Sequence, residues 1–326
     1  MEQTDPPERG DGRLILVAGS GRSGTSTMTG TLAMLGAHVP QPEVPADDTN
    51  PRGFFEPQWL VEHHQALLGA AGVPVSDARP AAAVDAAAAA ATESAQEQRR
   101  RWATAALSAA PHVVLKDPRI SWFLPAWQQT ARLLGVDAGV VVMLRHPAAV
   151  VESKTASYHR RPDGSRRAGD VGDAARVAGW VNVLLLVEQA ARAGPNVFVR
   201  YDDVLADWRS VAGRVTTALG LHLSGWDGRT EAEVDGFVNP DLRHTAGTSW
   251  ADLDVPVRLR DLAEETWRLL GGLGDGQRSG ADRAAAFDAL RADYDAMYDE
   301  AEQIVDFSLR AARRAPGRGR KGQPRR

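Results

Sequence analysis

The segment Leu14-Ile15-Leu16-Val17-Ala18-Gly19-Ser20-Gly21-Arg22-Ser23-Gly24-Thr25-Ser26-Thr27-Met28 decides the fold. Its first five residues are an unbroken apolar run, the pattern of a strand buried on both faces. After the turn, Thr25–Leu35 places Met28, Leu32 and Leu35 on one helical face, and Gly36 stops the helix. A strand that passes through a glycine loop into a helix aims backbone N–H groups and a helix N-terminus at an anion. The hydroxyls of Ser23, Thr25, Ser26 and Thr27 add donors, and Arg22 adds a cation inside the loop. An ATP loop needs Gly-x-x-x-x-Gly-Lys-Ser/Thr. Gly19 and Gly24 have that spacing, but Thr25 stands where the lysine belongs, so ATP hydrolysis loses support. Gly19, Gly21 and Gly24 also match a dinucleotide loop, yet no acidic strand end follows where a ribose would need one.

Outward from this loop, three more short apolar runs read as strands: Val113–Leu115, Val140–Leu144 and Val197–Val199. Helical patterns separate them, with Asp173–Arg192 and Asp203–Leu219 each expected to open on an Asp cap. The Ala-rich stretch Ala81–Ala110 predicts one long helix, residues 221–255 read as irregular, and Val257–Leu270 and Arg283–Arg310 read as two late helices. Strands alternating with helices make an α/β chain with a parallel sheet covered on both faces. Each later strand ends on a cation followed by a capping residue: Lys116-Asp117-Pro118, Arg145-His146-Pro147 and Arg200-Tyr201-Asp202-Asp203. Ligands bind at the carboxyl edge of such sheets, so these three cations, Arg22 and the loop are expected to converge on one polyanion.

Composition removes several other chemistries. The 326 residues contain no cysteine, which excludes disulfides, a thiol nucleophile and Cys-ligated metal sites. No apolar run approaches the roughly 20 residues of a membrane helix. Met1–Gly12 is acidic and rich in Pro and Gly rather than a signal peptide, so the expected location is cytoplasmic. The net charge of −4 hides an asymmetry, because Arg310–Arg326 carries eight basic residues and no acidic one, leaving −12 on the rest. An acidic body repels nucleic acid, which makes that partner unlikely. Three lysines occur in the chain, Lys116, Lys154 and Lys321, against 38 basic residues in all. The expected organisation is a disordered N-terminus over 1–12, one α/β domain over 13–310 and a basic disordered tail over 311–326. Oligomeric state is not legible.

At these motifs the sequence resembles the sulfotransferases that use 3′-phosphoadenosine 5′-phosphosulfate (PAPS), and most of all their bacterial members. Gly-Ser-Gly-Arg-Ser-Gly-Thr-Ser at 19–26 is similar to their 5′-phosphosulfate loop, with Arg where the cytosolic animal enzymes carry Lys. Arg145-His146-Pro147, with Ser153 eight residues after Arg145, is similar to their 3′-phosphate motif. Arg200 to Leu205 is similar to a strand–helix segment they share. The likeness spans roughly residues 13–220. It implies a P-loop-like parallel sheet flanked by helices in a single domain, PAPS as co-substrate and no metal. By this resemblance, Ser20, Gly21, Arg22, Ser23, Gly24, Thr25, Ser26, Arg145, Ser153, Tyr201 and Arg243 bind the donor. Arg22 and Lys116 stabilise charge on the leaving phosphate or the moving sulfonyl group. Arg243 belongs to a late basic loop, Asn239–Gly247, that closes over the nucleotide. Arg320-Lys321-Gly322 mimics an animal motif but lies in the tail.

Sulfonyl transfer to a hydroxyl needs a base. Several sulfotransferases place a catalytic acid after their first helix, and here that segment is Asn50-Pro51-Arg52-Gly53-Phe54-Phe55-Glu56-Pro57, which makes Glu56 the expected base. Glu56 also suits a plain helix start. His63 and His64 follow and offer an alternative base. Phe54, Phe55, Trp59, Trp122, Trp127 and Trp180 are either acceptor-pocket walls or core. The expected acceptor is a hydroxyl, or an amine, on a small molecule or glycolipid. Two rival readings remain: a nucleotide kinase or other phosphotransferase, and a non-catalytic nucleotide-binding protein whose basic tail binds nucleic acid.

Overall fold

The computed structural model describes residues 12–158, 171–238, 249–275 and 280–314. Four strands occur where the apolar runs predict them: β1 (Arg13–Gly19), β2 (His112–Lys116), β3 (Asp137–Leu144) and β4 (Asn196–Arg200). They form one parallel sheet of order β2-β1-β3-β4. The helices are α1 (Thr25–Met34), α2 (Gln58–Ala71), α3 (Ala82–Ala90), α4 (Glu93–Ala109), α5 (Leu124–Leu133), α6 (Pro147–Tyr158), α7 (Asp173–Ala191), α8 (Tyr201–Leu219), α9 (Gly228–Phe237), α10 (Val257–Gly274) and α11 (Ala281–Arg314).

The strands are apolar throughout because both faces are covered. Leu14, Leu16, Leu115, Val140, Val142 and Phe198 face a core shared with α5, α7 and α10. Ile15, Val17, Val114, Val141, Met143 and Val199 face a second core against α1 and α8. Each fully buried aliphatic side chain contributes about 1.5–3 kcal/mol, so the central strands β1 and β3 are the stiffest part of the sheet. The loop that ends β1 is therefore carried by a rigid element.

Four local expectations are corrected. The Ala-rich stretch is two helices, because Thr92 ends the first pattern and accepts a bond from Ala95 N at 3.3 Å as the N-cap of α4. Arg99, 1% exposed, folds back to donate to the Ala90 carbonyl at 2.8 Å and so caps the end of α3. Residues 221–255 are not wholly irregular, since Asp227 caps α9 through Arg229 N and Thr230 N. Asp173 and Asp203 are not caps. Asp173 is the first residue of α7, and α8 starts at Tyr201 with Asp202 and Asp203 in its first turn, where carboxylates favour the helix dipole.

Candidate active site

The carboxyl ends of all four strands lie on one edge, and the loop 19–26 occupies its middle. Gly19 (φ 137°) and Gly24 (φ 85°) take left-handed conformations, and so does Arg22 (φ 73°). A Cβ on Gly24 would stand 2.1 Å from the Tyr201 ring, so only glycine fits. Ser23 folds the loop inward, its Oγ donating to the Ser20 carbonyl at 2.5 Å. No side chain caps α1 and no acidic residue stands in its first turn. Its first N–H groups, at Thr25, Ser26 and Thr27, have no acceptor within the helix. An uncapped N-terminus behind a glycine loop has backbone N–H groups and a helix dipole with which it can receive an anion.

Cations gather around it. Arg22 Nε donates to Ser153 Oγ at 3.1 Å, with Ser153 2% exposed. Arg145 Nη1 donates to the Arg22 carbonyl at 2.9 Å, and its guanidinium lies 5.4 Å above the Tyr201 ring. Burial lowers the Arg145 pKa and raises that of Tyr201. The loop, Arg22, Arg145, Ser153 and Tyr201 are thus one cluster, although 131 residues separate Arg22 from Ser153.

On the other side of the loop stands Lys116, at the end of β2 and 2% exposed. Its Nζ donates to Ser26 Oγ at 3.0 Å, to the Phe54 carbonyl at 3.0 Å and to Glu56 Oε1 at 2.5 Å. Ser26 Oγ also receives Asn50 Nδ2 at 3.3 Å. Glu56, 7% exposed, precedes α2 on a strained turn, Phe55 having φ 54°. Burial pushes the Glu56 carboxyl above its ordinary value, while the Lys116 ammonium pulls against that rise. The two residues form one buried acid–base pair in contact with the loop.

Both neighbouring histidines are buried in ring contacts. His64 is fully buried and both ring nitrogens are engaged: Trp127 Nε1 donates to His64 Nε2 at 2.9 Å, so the ring's Nδ1–H faces Asp117 Oδ2 at 2.8 Å. Asp117 Oδ1 in turn accepts from Arg119 Nη1 at 2.8 Å. Burial lowers the His64 pKa. His63 is stacked on Trp59 at 4.7 Å, and burial lowers its pKa to about 4. The His64–Asp117 contact links α2 to the residue after Lys116; the sequence showed only that Asp117 caps the 3-10 turn Pro118–Trp122, which it also does.

Other expected members fall elsewhere. Arg200 does not join the cluster: it turns to α10, where it donates to Asp275 Oδ2 at 2.9 Å and covers Trp267 at 5.9 Å. Trp122, Trp127 and Trp180 are core side chains. Phe55 packs edge-on against Phe237 at 5.7 Å, and Trp59 stacks on Trp102 at 4.8 Å. Arg243, the rest of Asn239–Gly247, and Arg320-Lys321-Gly322 lie outside the described residues. Among the described residues there is no group of three or more acidic or histidine side chains that could hold a metal ion, and no helix is long and apolar enough to cross a membrane.

Residues 15–225 match the model of the Sulfotransferase family, and the chain belongs to that family. Two solved structures similar to it are the sulfotransferase domain of a Synechococcus olefin synthase and a sulfotransferase from Mycobacterium tuberculosis. The first is 17% identical, with a TM-score of 0.46 over 83% of this chain and 98% of the other. The second is 17% identical, with a TM-score of 0.43 over 78% of this chain and 76% of the other. A sulfotransferase domain from the Curacin biosynthetic pathway is 15% identical, with a TM-score of 0.42 over 81% and 99% of the two chains. No curated protein matches the sequence.

Proposed function

We propose that this chain transfers a sulfonyl group from PAPS to a hydroxyl on a small-molecule acceptor, with residues 13–310 acting as one domain. The observation that carries this reading is the pairing of Glu56 with Lys116 at 2.5 Å against Ser26 of an uncapped phosphate-type loop. It puts a proton acceptor, a cation and an anion cradle in direct contact. The residues fit the donor: the loop has free first-turn N–H groups, and Gly24 leaves no room for a side chain that would fill it. The loop N–H groups and the hydroxyls of Thr25 and Ser26 hold the 5′ side, while Ser23 shapes the loop through its bond to the Ser20 carbonyl. Arg145 and Ser153 hold the 3′-phosphate, the fork of Arg145 being suited to two phosphate oxygens.

Bound donor supplies an activated sulfonyl group; the protein supplies position and charge. Glu56 takes the proton from the acceptor oxygen as that oxygen attacks. Lys116 and Arg22 face the negative charge that builds on the phosphate side, where preorganised donors act in a site shielded from water. Lys116 also favours the ionised form of Glu56, the form able to accept a proton, against the larger opposing effect of burial.

The test has two arms. Adenosine 3′,5′-bisphosphate should raise the melting temperature, whereas ATP with Mg²⁺ should not; the reverse order would point to a phosphotransferase and refute the reading. With radiolabelled donor and a panel of alcohols, Glu56→Gln should lower transfer by about 100-fold or more while bisphosphate binding persists. Full transfer by Glu56→Gln would remove Glu56 as the base.

A further inference from the structure

Lys154 and Arg176 lie in a place that the proposed mechanism does not use. Lys154 directly follows Ser153 on α6, so it stands one residue from the side chain that Arg22 binds. Its Nζ reaches across to Ser76 Oγ at 3.2 Å. Ser76 is exposed on the segment after α2, and the neighbouring Val75 carbonyl accepts from Trp122 Nε1 at 3.0 Å, six residues beyond Lys116. Lys154 thus ties α6, next to the Arg22–Ser153 contact, to the segment that Trp122 also binds.

Arg176, on α7 and 5% exposed, is the second cation. Its Nη1 donates to Thr155 Oγ1 at 2.8 Å, which ties it to the residue after Lys154. Its Nη2 is buried without a hydrogen-bond partner among the described residues. Asp173 forms an ion pair with Arg176, its Oδ1 3.7 Å from Nη1, and its Oδ2 accepts from Asp254 N at 3.3 Å. No carboxylate lies within ion-pair distance of Lys154 among the described residues. Asp173 balances one of the two cations, while among the described residues Lys154 has only a hydroxyl partner and one Arg176 N–H is left unsatisfied, so the pair keeps a net positive charge and a free donor for an anion.

We infer that Lys154 and Arg176 form an anion subsite for the acceptor, so that the molecule receiving the sulfonyl group also carries a carboxylate or a phosphate. This rests on the sulfotransferase reading above and names the class of its second substrate. The burial of Lys154 and the like charge of Arg176 lower its ammonium to about 8, which leaves it charged at neutral pH and poised for an anionic partner. Neutral sterols and simple phenols lack the group this subsite would hold.

Three lysines make the test direct. In the full chain labelled with ¹³Cε-lysine, the Lys154 signal is assigned by its loss in Lys154→Met. Adenosine 3′,5′-bisphosphate should move the Lys116 signal; if it moves none, the donor reading fails on its own. With the bisphosphate bound, 4-hydroxyphenylacetate or 4-hydroxyphenyl phosphate is then titrated beside the neutral 4-hydroxyphenylacetamide. The anions should move Lys154 and the amide should not, and whichever anion binds more tightly separates carboxylate from phosphate. Binding of that anion should weaken about tenfold in Lys154→Met and in Arg176→Gln. If the bisphosphate moves Lys116 and neither anion moves Lys154, or if the amide moves it equally, the anion subsite is overturned while the donor site stands.

Discussion

Replacing Lys116 with Met keeps the length of the side chain and removes its charge. Both members of the Lys116–Glu56 pair are buried, with side chains 3% and 9% exposed at 2.5 Å. Removing one partner of such a pair leaves an uncompensated buried charge, which costs about 3–5 kcal/mol. Lys116 also satisfies Ser26 Oγ and the Phe54 carbonyl, so the upper half of that range is expected. The cost should depend on pH. Burial raises the folded pKa of Glu56 above 4.5, so the folded chain retains a proton that the unfolded chain releases. Stability from this group is present at acid pH and is lost as pH rises through the folded value. Loss of Lys116 moves that value further up and widens the window. Urea unfolding of wild type and Lys116→Met at a series of pH values should therefore show a penalty that is smallest near pH 4.5, where only the lost bonds to Ser26 and Phe54 count, grows upward and then levels off. The double variant Lys116→Met/Glu56→Gln should recover most of it, since no charge is left buried. A penalty below about 1 kcal/mol, the size of an exposed pair, would refute the reasoning. So would a penalty flat in pH, or a double variant no more stable than the single one.

Two further outcomes bear on the donor side. Gly24→Ala introduces a Cβ 2.1 Å from the Tyr201 ring at φ 85° and should weaken bisphosphate binding, measured by calorimetry, by more than tenfold while costing about 1–3 kcal/mol in urea. Arg145→Lys keeps the charge and loses the two-pronged geometry; bisphosphate affinity should fall about tenfold, and unchanged affinity would remove Arg145 from the 3′-phosphate site.

The strands were legible because a residue buried on both faces admits only apolar types, and runs such as Val140–Leu144 say so without context. The loop was legible because glycine, hydroxyl and arginine at 19–26 serve one local geometry. Long-range pairs were not. Glu56 and Lys116 could each be singled out, but nothing local brings together residues 60 positions apart, and the same holds for His64 and Asp117. Arg200 follows the same strand-end rule as Lys116 and Arg145, yet Trp267 on a distant helix and Asp275 just past its end claim it. Ala81–Ala110 misled because propensity is a weak prior beside one capping threonine and the carbonyl cap made by Arg99.

Among the described residues, two that are not glycine adopt left-handed backbone: Arg22 and Phe55. Each such residue costs about 1–2 kcal/mol relative to an ordinary conformation. One lies in the glycine loop after β1 and the other immediately precedes Glu56. A glycine at either point would relax the chain and make it hardier, but it would also loosen the guanidinium or the carboxylate that the kink aims. Selection for robustness and selection for turnover therefore pull in opposite directions at these two positions, and a thermostable descendant of this chain would have to find its gains elsewhere.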